Sequence, residues 1–246
     1  MPRFFAQGSS IKEGCVTITG EDAHHISYAL RMAVGDEITV ADGAGSTYLC
    51  RIARMDGTTV SAEILSKVDD LAESPVEIHL FQAYPKSDKL EFIIQKAVEL
   101  GVSAITPFES ERCIKRPKAD KIAHVLERQR RIATEAAKQS GRAVLPTVNA
   151  PISFDEMLKE AALYPLTLFA HPSDACVSLA KTFADHPNVR RIAVVVGSEG
   201  GFSEDELRMA MNAGFIPTSL GSRILRCETA PLFLLSAISY AYELPG

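Results

Sequence analysis

The stretch V-V-V-G-S-E-G-G-F-S-E-D-E, residues 194–206, passes from an apolar run through glycines to a helix-start pattern. Residues 193–196 are all apolar, without polar alternation, which is typical of a parallel strand covered on both faces. Ser203 and Glu206 have the spacing of a capping box, so we expect a helix to begin there. The stretch therefore predicts an α/β fold in which a strand, a glycine loop and a helix follow one another.

The glycine loop is poorly suited to phosphate. Helix N-termini often bind phosphate through their free N–H groups, but the carboxylate of Glu199 would repel it and would accept hydrogen bonds from hydroxyl or ammonium groups instead. The chain contains neither G-x-G-x-x-G nor G-x-x-x-x-G-K-[ST], so a dinucleotide-binding or P-loop protein loses its main support. Taken alone, Gly197, Gly200 and Gly201 could simply form a tight turn, and this alternative stays open until a second feature is considered.

The composition is that of a globular chain with one large or two small domains. Of the 246 residues, 46% are hydrophobic and 23% are charged, which is ordinary for such proteins. We find no signal-peptide pattern and no apolar run long enough to cross a bilayer. We therefore expect a cytoplasmic protein without membrane association.

The cysteine and histidine patterns argue against a metal site. The five cysteines are scattered and form no C-x-x-C pair, which also argues against a disulfide framework. His24 and His25 are adjacent, and neighbours on a helix diverge by about 100°. We therefore expect them to share no metal ion and to belong to a helix that faces the core or a partner surface.

Positive charge is concentrated in one segment of an acidic chain. Residues 112–142 contain ten Lys or Arg against three Asp or Glu, a local net charge of +7, whereas the whole chain carries −5. We expect a long helix from about residue 118 to 140, ended by Gly141. A basic run is often only a solvated face, but its concentration on one element indicates a surface that faces the phosphates of a nucleic acid.

The pattern of the chain changes near residues 70–75. Before this point, short strand patterns separated by turn signals such as D-G-A-G and D-G-T-T, with one helix at 23–32, predict a small β-rich module over residues 1–72. After it, strands alternate with helices over residues 73–246, which predicts a parallel sheet with helices on its faces. The clearest helix patterns of this part lie at 90–100 and 154–162.

A second glycine turn occurs in S-L-G-S-R-I-L-R-C-E-T-A-P, residues 219–231. Gly221 permits a turn after a short strand, and Ile224 and Leu225 place an apolar surface beside the charged Arg226. Each of the two glycine turns follows a strand and leads to a helix. Together they indicate a pocket rather than two unrelated turns.

The helix that follows the second turn is apolar nearly all round. Thr229 and Pro231 suit its first turn, and it continues as L-F-L-L-S-A-I-S-Y-A-Y. A helix of this kind is buried in the core or against another subunit. We expect it to be buried between two subunits, with Leu235 at the contact.

Several motifs together resemble the ribosomal RNA small subunit methyltransferase E family, which belongs to the SPOUT class of knotted methyltransferases. They are G-S-E-G-G-F-S-x-x-E, L-G-S-R-I-L-R-C-E-T-A, K-x-D-K-L-E-F-I-I-Q-K-A-V-E-L-G-V, S-E-R-C and A-x-x-Q-S-G-R. The resemblance covers most of the chain, and these motifs are long and specific. One departure is Ser198, where the family usually has Pro. Because that residue only stiffens the turn, we expect the reaction to be unchanged.

The resemblance implies a fold, a reaction and partners. The fold is a SPOUT-type parallel sheet with a trefoil knot, preceded by an N-terminal PUA-like RNA-binding domain; ordinary connection rules predict no knot. The reaction is methylation of a uridine at ring nitrogen three in 16S rRNA, with S-adenosylmethionine as donor and no metal. The partners are 16S rRNA or the small ribosomal subunit and a second copy of the chain. The alternatives are another RNA methyltransferase of the same class and a non-catalytic RNA-binding protein.

In the knotted fold, backbone groups of three loops hold adenosine. In this sequence Leu220, Ile224 and Leu225 suit the adenine face, and Glu199 suits the cationic groups and ribose hydroxyls of S-adenosylmethionine, which has no phosphate. The candidate cofactor-binding residues are His171, Pro172, Gly197, Glu199, Gly200, Gly201, Leu220, Gly221, Ile224, Leu225, Arg226, Thr229 and Ala230.

Methyl transfer to a uridine ring nitrogen requires removal of that nitrogen's proton. Arg226 is the candidate that stabilises negative charge on the uracil oxygens, and Glu228 the candidate that orients the base or accepts the proton. The alternative that Glu228 only satisfies backbone N–H groups at the helix start stays open. The candidate RNA-binding residues are Arg3, Arg31, Arg112, Lys115, Arg116, Arg128, Arg131 and Arg142.

Overall fold

The structure, a computed structural model, describes residues 1–6, 10–12, 14–69, 72–114, 119–172 and 176–244. The chain divides into two compact units. The first comprises Met1–Glu73 with Ala137–Leu145, and the second comprises Ser74–Ala136 with Pro146–Gly246. The five cysteines, all within the described residues, are free thiols. No helix of the described residues is both long and apolar enough to span a membrane.

The first unit is built on a mostly antiparallel sheet, as the β-rich pattern of its sequence predicts. Its described strands follow the order β1-β4-β5-β6-β3-β2, and only β1 and β4 pair in parallel. Side chains alternate between the core and solvent, as Val16 and Ile18 of β3 show, because successive residues of a strand point to opposite faces. The strands are β1 (Arg3–Phe5), β2 (Ile11–Lys12), β3 (Cys15–Thr19), β4 (Glu37–Ala41), β5 (Thr47–Met55) and β6 (Thr59–Val68).

The helical segment of the first unit differs from the helix predicted at 23–32. A short α-helix, α1 (Glu21–His24), continues as a π-helix over His25–Ala29. The expectation that His24 and His25 face the core or a partner is wrong as regards the core. Both are exposed, whereas Ala23 and Ile26 are the buried residues. Ala23 and Ile26 are three residues apart and so lie on the same inner face of the helical segment. His24 and His25 lie between them and point away from that face.

The second unit confirms the predicted α/β architecture. Its described strands form an entirely parallel sheet in the order β10-β8-β7-β13-β11-β14-β12, with β9 beside β8. The strands are β7 (Glu77–Ala83), β8 (Ala104–Glu109), β9 (Thr147–Val148), β10 (Ile152–Ser153), β11 (Leu166–Ala170), β12 (Val177–Ser178), β13 (Arg191–Val196) and β14 (Ile216–Ser219). The helices are α2 (Lys89–Glu99), α3 (Ile122–Gln139), α4 (Phe154–Ala161), α5 (Leu179–Asp185), α6 (Glu204–Asn212) and α7 (Thr229–Tyr242), and a 3₁₀ turn over Ala119–Lys121 precedes α3.

The central strands are buried on both faces, as their apolar runs predict. In β13, Arg191 is exposed and the five residues after it are buried, because helices cover both faces of a parallel sheet. Helix α2 buries one stripe that includes Leu90, Ile94 and Val98, the four-residue spacing of a single helix face.

The strand order determines where the loops meet. Strand β11 lies between β13 and β14, and all three run in parallel. Their carboxyl ends, Ala170, Val196 and Ser219, therefore lie at one edge of the sheet. Ligands of open α/β sheets bind outside such carboxyl ends. The three loops that follow these strands thus define the candidate site.

Candidate active site

The loops after β11, β13 and β14 line a cavity of about 540 Å³. With the exception of Thr229, which begins α7 outside the described lining, every predicted cofactor-binding residue contributes to this cavity. The structure thus brings together two glycine turns that are about twenty residues apart in the sequence. The lining residues that the sequence analysis did not assign to the cofactor site are Lys89, Ala170, Val196, Ser198, Ser219, Arg223 and Cys227.

The glycine loop after β13 is both a tight turn and a wall of the cavity. Gly201 N donates to Ser198 O at 2.9 Å, and Gly201 has φ 64°, a backbone conformation that favours glycine. A Cβ at Gly197 would lie 3.1 Å from the Phe202 ring. The tight-turn alternative and the pocket hypothesis are therefore compatible.

Gly200 is required for a different reason than the sequence suggested. Its φ is not among the positive values, but a Cβ there would lie 2.9 Å from Arg112 Cβ and 3.1 Å from Arg112 O. The close neighbour is therefore the chain's own S-E-R-C turn. A valine at this position would displace that turn.

The helix after the glycine loop begins as predicted. Ser203 Oγ accepts from Glu206 N at 3.3 Å, and Glu206 Oε2 accepts from Ser203 N at 2.9 Å, so the capping box is complete. Both residues are buried. The box fixes the point at which the chain leaves the glycine loop and enters α6.

An apolar wall is formed by the loop after β14. Leu220 and Leu225 are half-buried, and Ile224 is 90% exposed. All three line the cavity, together with Arg226. His171 also lines the cavity, and its pKa is lowered by burial and then by the nearby positive charge of Arg112. The cavity therefore combines an apolar surface with a neutral imidazole and a guanidinium.

A charged cluster lies at one end of the cavity. Lys89 Nζ is 2.9 Å from Glu199 Oε1 and 3.1 Å from Glu228 Oε2. Glu199 also accepts from Lys86 N at 3.2 Å. The ammonium group predicted to meet Glu199 is therefore, in this structure, the chain's own Lys89. With two carboxylates and one ammonium group, this Lys89–Glu199–Glu228 cluster carries net negative charge.

The pKa values of the cluster favour the ionised forms. Partial burial acts to raise the pKa of Glu199, but hydrogen bonds from Lys89 and from backbone N–H groups outweigh it, so the pKa lies below its usual value. Partial burial also acts to raise the pKa of Glu228, but hydrogen bonds from its own N–H, from Cys227 and from Lys89 outweigh it, so this pKa is lowered as well. Hydrogen bonds to Glu199 and Glu228 raise the pKa of Lys89. The cluster thus stays charged at neutral pH.

Glu228 is the residue that precedes α7, and among the described residues its side chain forms no N-cap hydrogen bond with that helix. It accepts from its own N–H, so the alternative that it satisfies a backbone N–H group at the helix start stays open. It also accepts from the Cys227 thiol at 3.2 Å. Burial and this bond raise the pKa of Cys227 to about 12. Glu228 is also absent from the described lining of the cavity, which Arg226 and Cys227 join.

The candidate RNA-binding residues are distributed over both units. In the first unit Arg31 is exposed and Arg3 is half-buried. Arg142 is only 3% exposed, and its guanidinium donates to Glu73 Oε2 at 2.8 Å. The assignment of Arg142 as an RNA contact therefore needs correction, because a buried, paired guanidinium is not presented to a phosphate.

In the second unit the basic segment is partly occupied by internal contacts. Arg128 pairs with Glu91 at 2.8 Å, although its side chain is 62% exposed. Arg112 Nη1 donates to Gly200 O at 3.2 Å, and Arg131 is exposed. Lys115 and Arg116 lie outside the described residues. The predicted helix from residue 118 is α3, which begins at Ile122 after a 3₁₀ turn.

Lys89 is the main site residue that sequence reasoning missed. It lies within the K-x-D-K-L-E motif and is the first residue of α2. A positive charge in the first turn of a helix is disfavoured by the helix dipole. A lysine at the start of a predicted helix was therefore the sequence feature that could have indicated an ion pair elsewhere in the fold. The identity of its partners could not be inferred, because they lie more than a hundred residues away.

Among the described residues, no group of three or more His, Cys, Asp or Glu is placed to hold a metal ion. The features of the cavity in the described residues are its three loops, its apolar wall and its charged cluster.

Comparison with known families assigns a class to this fold and site. A family model described as an RNA methyltransferase domain matches residues 72–239, which include all the strands of the parallel sheet and the cavity. A second model, described as an RNA methyltransferase PUA domain, matches residues 18–65 of the β-rich unit. The class is thus an RNA methyltransferase with an α/β domain and a PUA domain.

Similar proteins narrow this class to one family. Ribosomal RNA small subunit methyltransferase E of Bacillus subtilis is 34% identical over 232 residues, which are 93% of this chain and 91% of that protein. The crystal structure of a ribosomal RNA small subunit methyltransferase E from Neisseria gonorrhoeae bound to S-adenosyl methionine is 35% identical, with a TM-score of 0.87, and covers 98% of both chains. The chain belongs to the ribosomal RNA small subunit methyltransferase E family, which confirms the resemblance of its motifs.

A further solved structure agrees with this assignment. A putative methyltransferase from Legionella pneumophila, in complex with the bound cofactor SAM, is 33% identical with a TM-score of 0.86 and covers 97% of both chains.

Proposed function

We propose that this protein transfers a methyl group from S-adenosylmethionine to ring nitrogen three of a uridine in 16S rRNA of the small ribosomal subunit. The observation that carries the proposal is the cavity at the carboxyl ends of β11, β13 and β14, lined by the loops that carry the family's motifs. Two relatives of nearly full-length coverage were solved with this cofactor. The uridine and its ring nitrogen rest on the resemblance of the motifs.

The apolar and backbone features of the cavity fit S-adenosylmethionine. The wall formed by Leu220, Ile224 and Leu225 offers a face for adenine. The glycine loop presents backbone to the cavity at Gly197 and Gly201, which carry no side chains of their own. Backbone N–H and C=O groups can then fix a nucleoside by hydrogen bonds without an anionic contact.

The charged cluster fits the cation. S-adenosylmethionine supplies its methyl group from a positively charged sulfonium. The carboxylates of Glu199 and Glu228 outnumber the single ammonium of Lys89, so the cluster attracts a cation and repels a phosphate. This property separates the proposed cofactor from a dinucleotide, which would place anionic phosphates in the same loops.

We assign distinct tasks to the two candidate catalytic residues. Arg226 lines the cavity and is exposed, so its guanidinium can pair with a uracil oxygen as negative charge develops there. Glu228 is ionised and engaged by Lys89 and Cys227, which suits it to fix the surrounding loop rather than to accept the proton. The N3 proton then passes to solvent water, and the sulfonium sulfur keeps the electron pair of the broken C–S bond as a neutral thioether. Alignment of the two reactants can contribute about 7–11 kcal/mol to such reactions.

We propose that residues 1–72 bind RNA and that residues 73–246 carry out methyl transfer. The PUA domain model over residues 18–65 supports the first assignment. We retain as proposed RNA contacts the exposed or half-buried Arg3 and Arg31 in the first unit and the exposed Arg112, Arg128 and Arg131 in the second. Arg142 is withdrawn because it is buried.

We further propose that the protein is a cytoplasmic homodimer with a trefoil knot. The knot and the dimer rest on the resemblance to the SPOUT class. Support for the dimer comes from α7, where Phe233 is 43% and Tyr240 is 76% exposed. Apolar and aromatic side chains exposed on one helix are typical of a contact surface. Leu235 is fully buried within its own unit, so it is not the contact residue that we expected.

The proposed function is tested by mapping methylated nucleotides in rRNA from cells with and without the gene. We expect one methylated uridine of the small-subunit RNA to lose its N3-methyl group in the deletion strain and to regain it on complementation. An unchanged modification map would contradict the proposal. Loss of a methyl group from another base would support a different RNA methyltransferase of the same class.

A further inference from the structure

Lys89 connects three segments of the second unit that are far apart in the sequence. It belongs to the first turn of α2, Glu199 belongs to the loop after β13, and Glu228 precedes α7. The ammonium group lies 2.9 Å from Glu199 Oε1 and 3.1 Å from Glu228 Oε2. A single side chain therefore links the two glycine-containing loops that form the cavity.

The position of Lys89 is unfavourable for its own helix. The N-terminus of a helix carries partial positive charge and favours acidic residues, by about 0.3–1 kcal/mol per charge. Lys89 opposes this preference as the first residue of α2. Its ion pairs with partly exposed partners contribute little stability, because such pairs are worth about 0–1 kcal/mol. Stabilisation of α2 therefore does not explain why a lysine occupies this position. Its contacts with Glu199 and Glu228 beside the cavity do explain it.

Lys89 is also the member of the cluster that faces the cavity together with Glu199, whereas Glu228 is not part of the described lining. Glu199 is held from a second direction by Lys86 N at 3.2 Å. The loop after β13 is thereby tied to the chain segment that begins α2. Without Lys89, the two carboxylates would have no cation between them, and their negative charges would repel each other.

We infer that Lys89 is a positioning residue of the cofactor cavity: its ammonium group bridges Glu199 and Glu228 and thereby fixes the loops after β13 and β14 relative to each other. This inference rests on the proposed function, because it assumes that S-adenosylmethionine binds in this cavity. Lys89 acts through the two carboxylates and not by contact with the reacting atoms. A preformed cavity binds more tightly because less ordering accompanies binding.

The matched control is Lys96, on the same helix. Lys96 Nζ pairs with Glu99 Oε1 at 2.7 Å, and its side chain is 35% exposed, against 30% for Lys89. It does not line the described part of the cavity. Lys89→Met and Lys96→Met therefore each remove one half-buried ammonium from one helix, and they differ in their distance from the cofactor loops.

Affinity for S-adenosylmethionine is measured by calorimetric titration, and folding by thermal melting without cofactor. We expect Lys89→Met to weaken affinity at least about tenfold, which corresponds to about 1.4 kcal/mol, because the loss of fixed loop positions outweighs the stronger attraction of two unpaired carboxylates for the cationic cofactor. Lys96→Met should leave affinity within about twofold of the wild type. Both variants should melt at similar temperatures. Lys89→Arg, which restores the cation, should recover most of the affinity.

A double-mutant comparison tests whether Lys89 acts through the carboxylates. In a Glu199→Gln/Glu228→Gln background, Lys89→Met should change affinity by less than about twofold, because the groups that it bridges are already neutral. A full additional tenfold loss would contradict the inference.

Two other results would overturn the inference. The first is a Lys89→Met variant with wild-type affinity. The second is a Lys89→Met variant that melts well below Lys96→Met, which would make Lys89 a general stabilising residue. If the wild type itself does not bind S-adenosylmethionine, the proposed function fails; if the wild type binds and Lys89→Met binds equally well, only the role of Lys89 fails.

Discussion

Glu206 and Glu111 are joined by a hydrogen bond in which Glu111 N donates to Glu206 Oε1 at 2.8 Å. The other carboxylate oxygen of Glu206 accepts from Ser203 N at 2.9 Å. One buried carboxylate thus begins α6 and also anchors the turn that contains the S-E-R-C motif. This turn is the one that contacts Gly200, so Glu206 links the S-E-R-C motif to the G-S-E-G-G-F-S-x-x-E motif through a direct hydrogen bond.

The first prediction concerns this carboxylate. Glu206→Ala should lower the free energy of unfolding by about 2–4 kcal/mol, because it removes a cap and leaves a buried N–H group without its acceptor. Glu156→Ala is the matched control, since Glu156 closes the same capping box with Ser153 in an exposed position. It should cost about 1 kcal/mol or less. Urea unfolding measures both values, and equal losses would contradict the anchoring role of Glu206.

The second prediction concerns the glycine loop. Gly201 and Gly214 both have positive φ, 64° and 85°, and a Cβ at either position would meet no atom within 4 Å. Valine at either position should therefore cause similar backbone strain, about 1–3 kcal/mol. Only Gly201 lines the cavity. Gly201→Val should weaken S-adenosylmethionine binding at least about tenfold in calorimetric titration, whereas Gly214→Val should not. Equal affinities would place the cofactor elsewhere.

The third prediction concerns pH. His79 in β7 is 7% exposed, and its ring nitrogens lie 2.9 Å from Tyr164 Oη and 2.7 Å from Thr106 Oγ1. Burial lowers the pKa of His79 from 6.5 to about 4. Between these values the unfolded chain binds a proton that the folded chain does not, so stability is lost as pH falls through this window. The loss should be about 3 kcal/mol.

Urea unfolding at several pH values between about 4 and 7 measures this loss. His79→Gln should flatten the dependence on pH in this range. His24→Gln, at an exposed position, should retain it. A wild-type slope in His79→Gln would show that other groups cause the acid sensitivity.

The fourth prediction concerns α7 and the proposed dimer. Tyr240→Glu should produce monomers in sedimentation with little change in the folding of each subunit, because Tyr240 is 76% exposed. Leu235→Glu should instead unfold the protein, because it buries a charge without a partner. A dimer that persists in Tyr240→Glu would exclude this face of α7 as the contact.

The fifth prediction concerns the basic segment. Arg131 is exposed, whereas Arg142 is buried and paired with Glu73. Arg131→Ala should reduce the slope of RNA affinity against salt by about 0.7, the value of one phosphate contact on a single strand. Arg142→Ala should leave the slope unchanged and lower stability by about 3 kcal/mol or more. An unchanged slope in Arg131→Ala would mean that this part of α3 is only a solvated face.

The elements of the second unit could be predicted because their signals are local. The apolar run of β13 and the capping box of Ser203 and Glu206 depend on neighbouring residues alone. The two glycine turns could likewise be joined into one pocket, because each follows a strand pattern and leads to a helix pattern. In the structure their strands lie on either side of β11 in a parallel sheet. The order of the strands in the sheet could not be predicted, because it depends on pairing between segments that are distant in the sequence.

The remaining features depend on contacts between distant residues. The ion pairs of Lys89 join positions more than a hundred residues apart. Such pairs cannot be predicted from the spacing of residues in the sequence. The basic segment shows the same limit, because composition counts Arg142 as a surface charge although Glu73 holds it in the interior. Charge counts identify residue types, whereas the direction of each side chain depends on packing.

The most direct test of the account is methyl transfer by the purified protein. Small ribosomal subunits and 16S rRNA that lack the modification are each incubated with S-adenosylmethionine labelled in its methyl group, and the product is mapped by mass spectrometry. We expect one label per RNA, at N3 of a single uridine, with the wild type and with Gly214→Val but not with Gly201→Val. Label on another base or ring atom, or no transfer by a protein that binds the cofactor, would contradict the account.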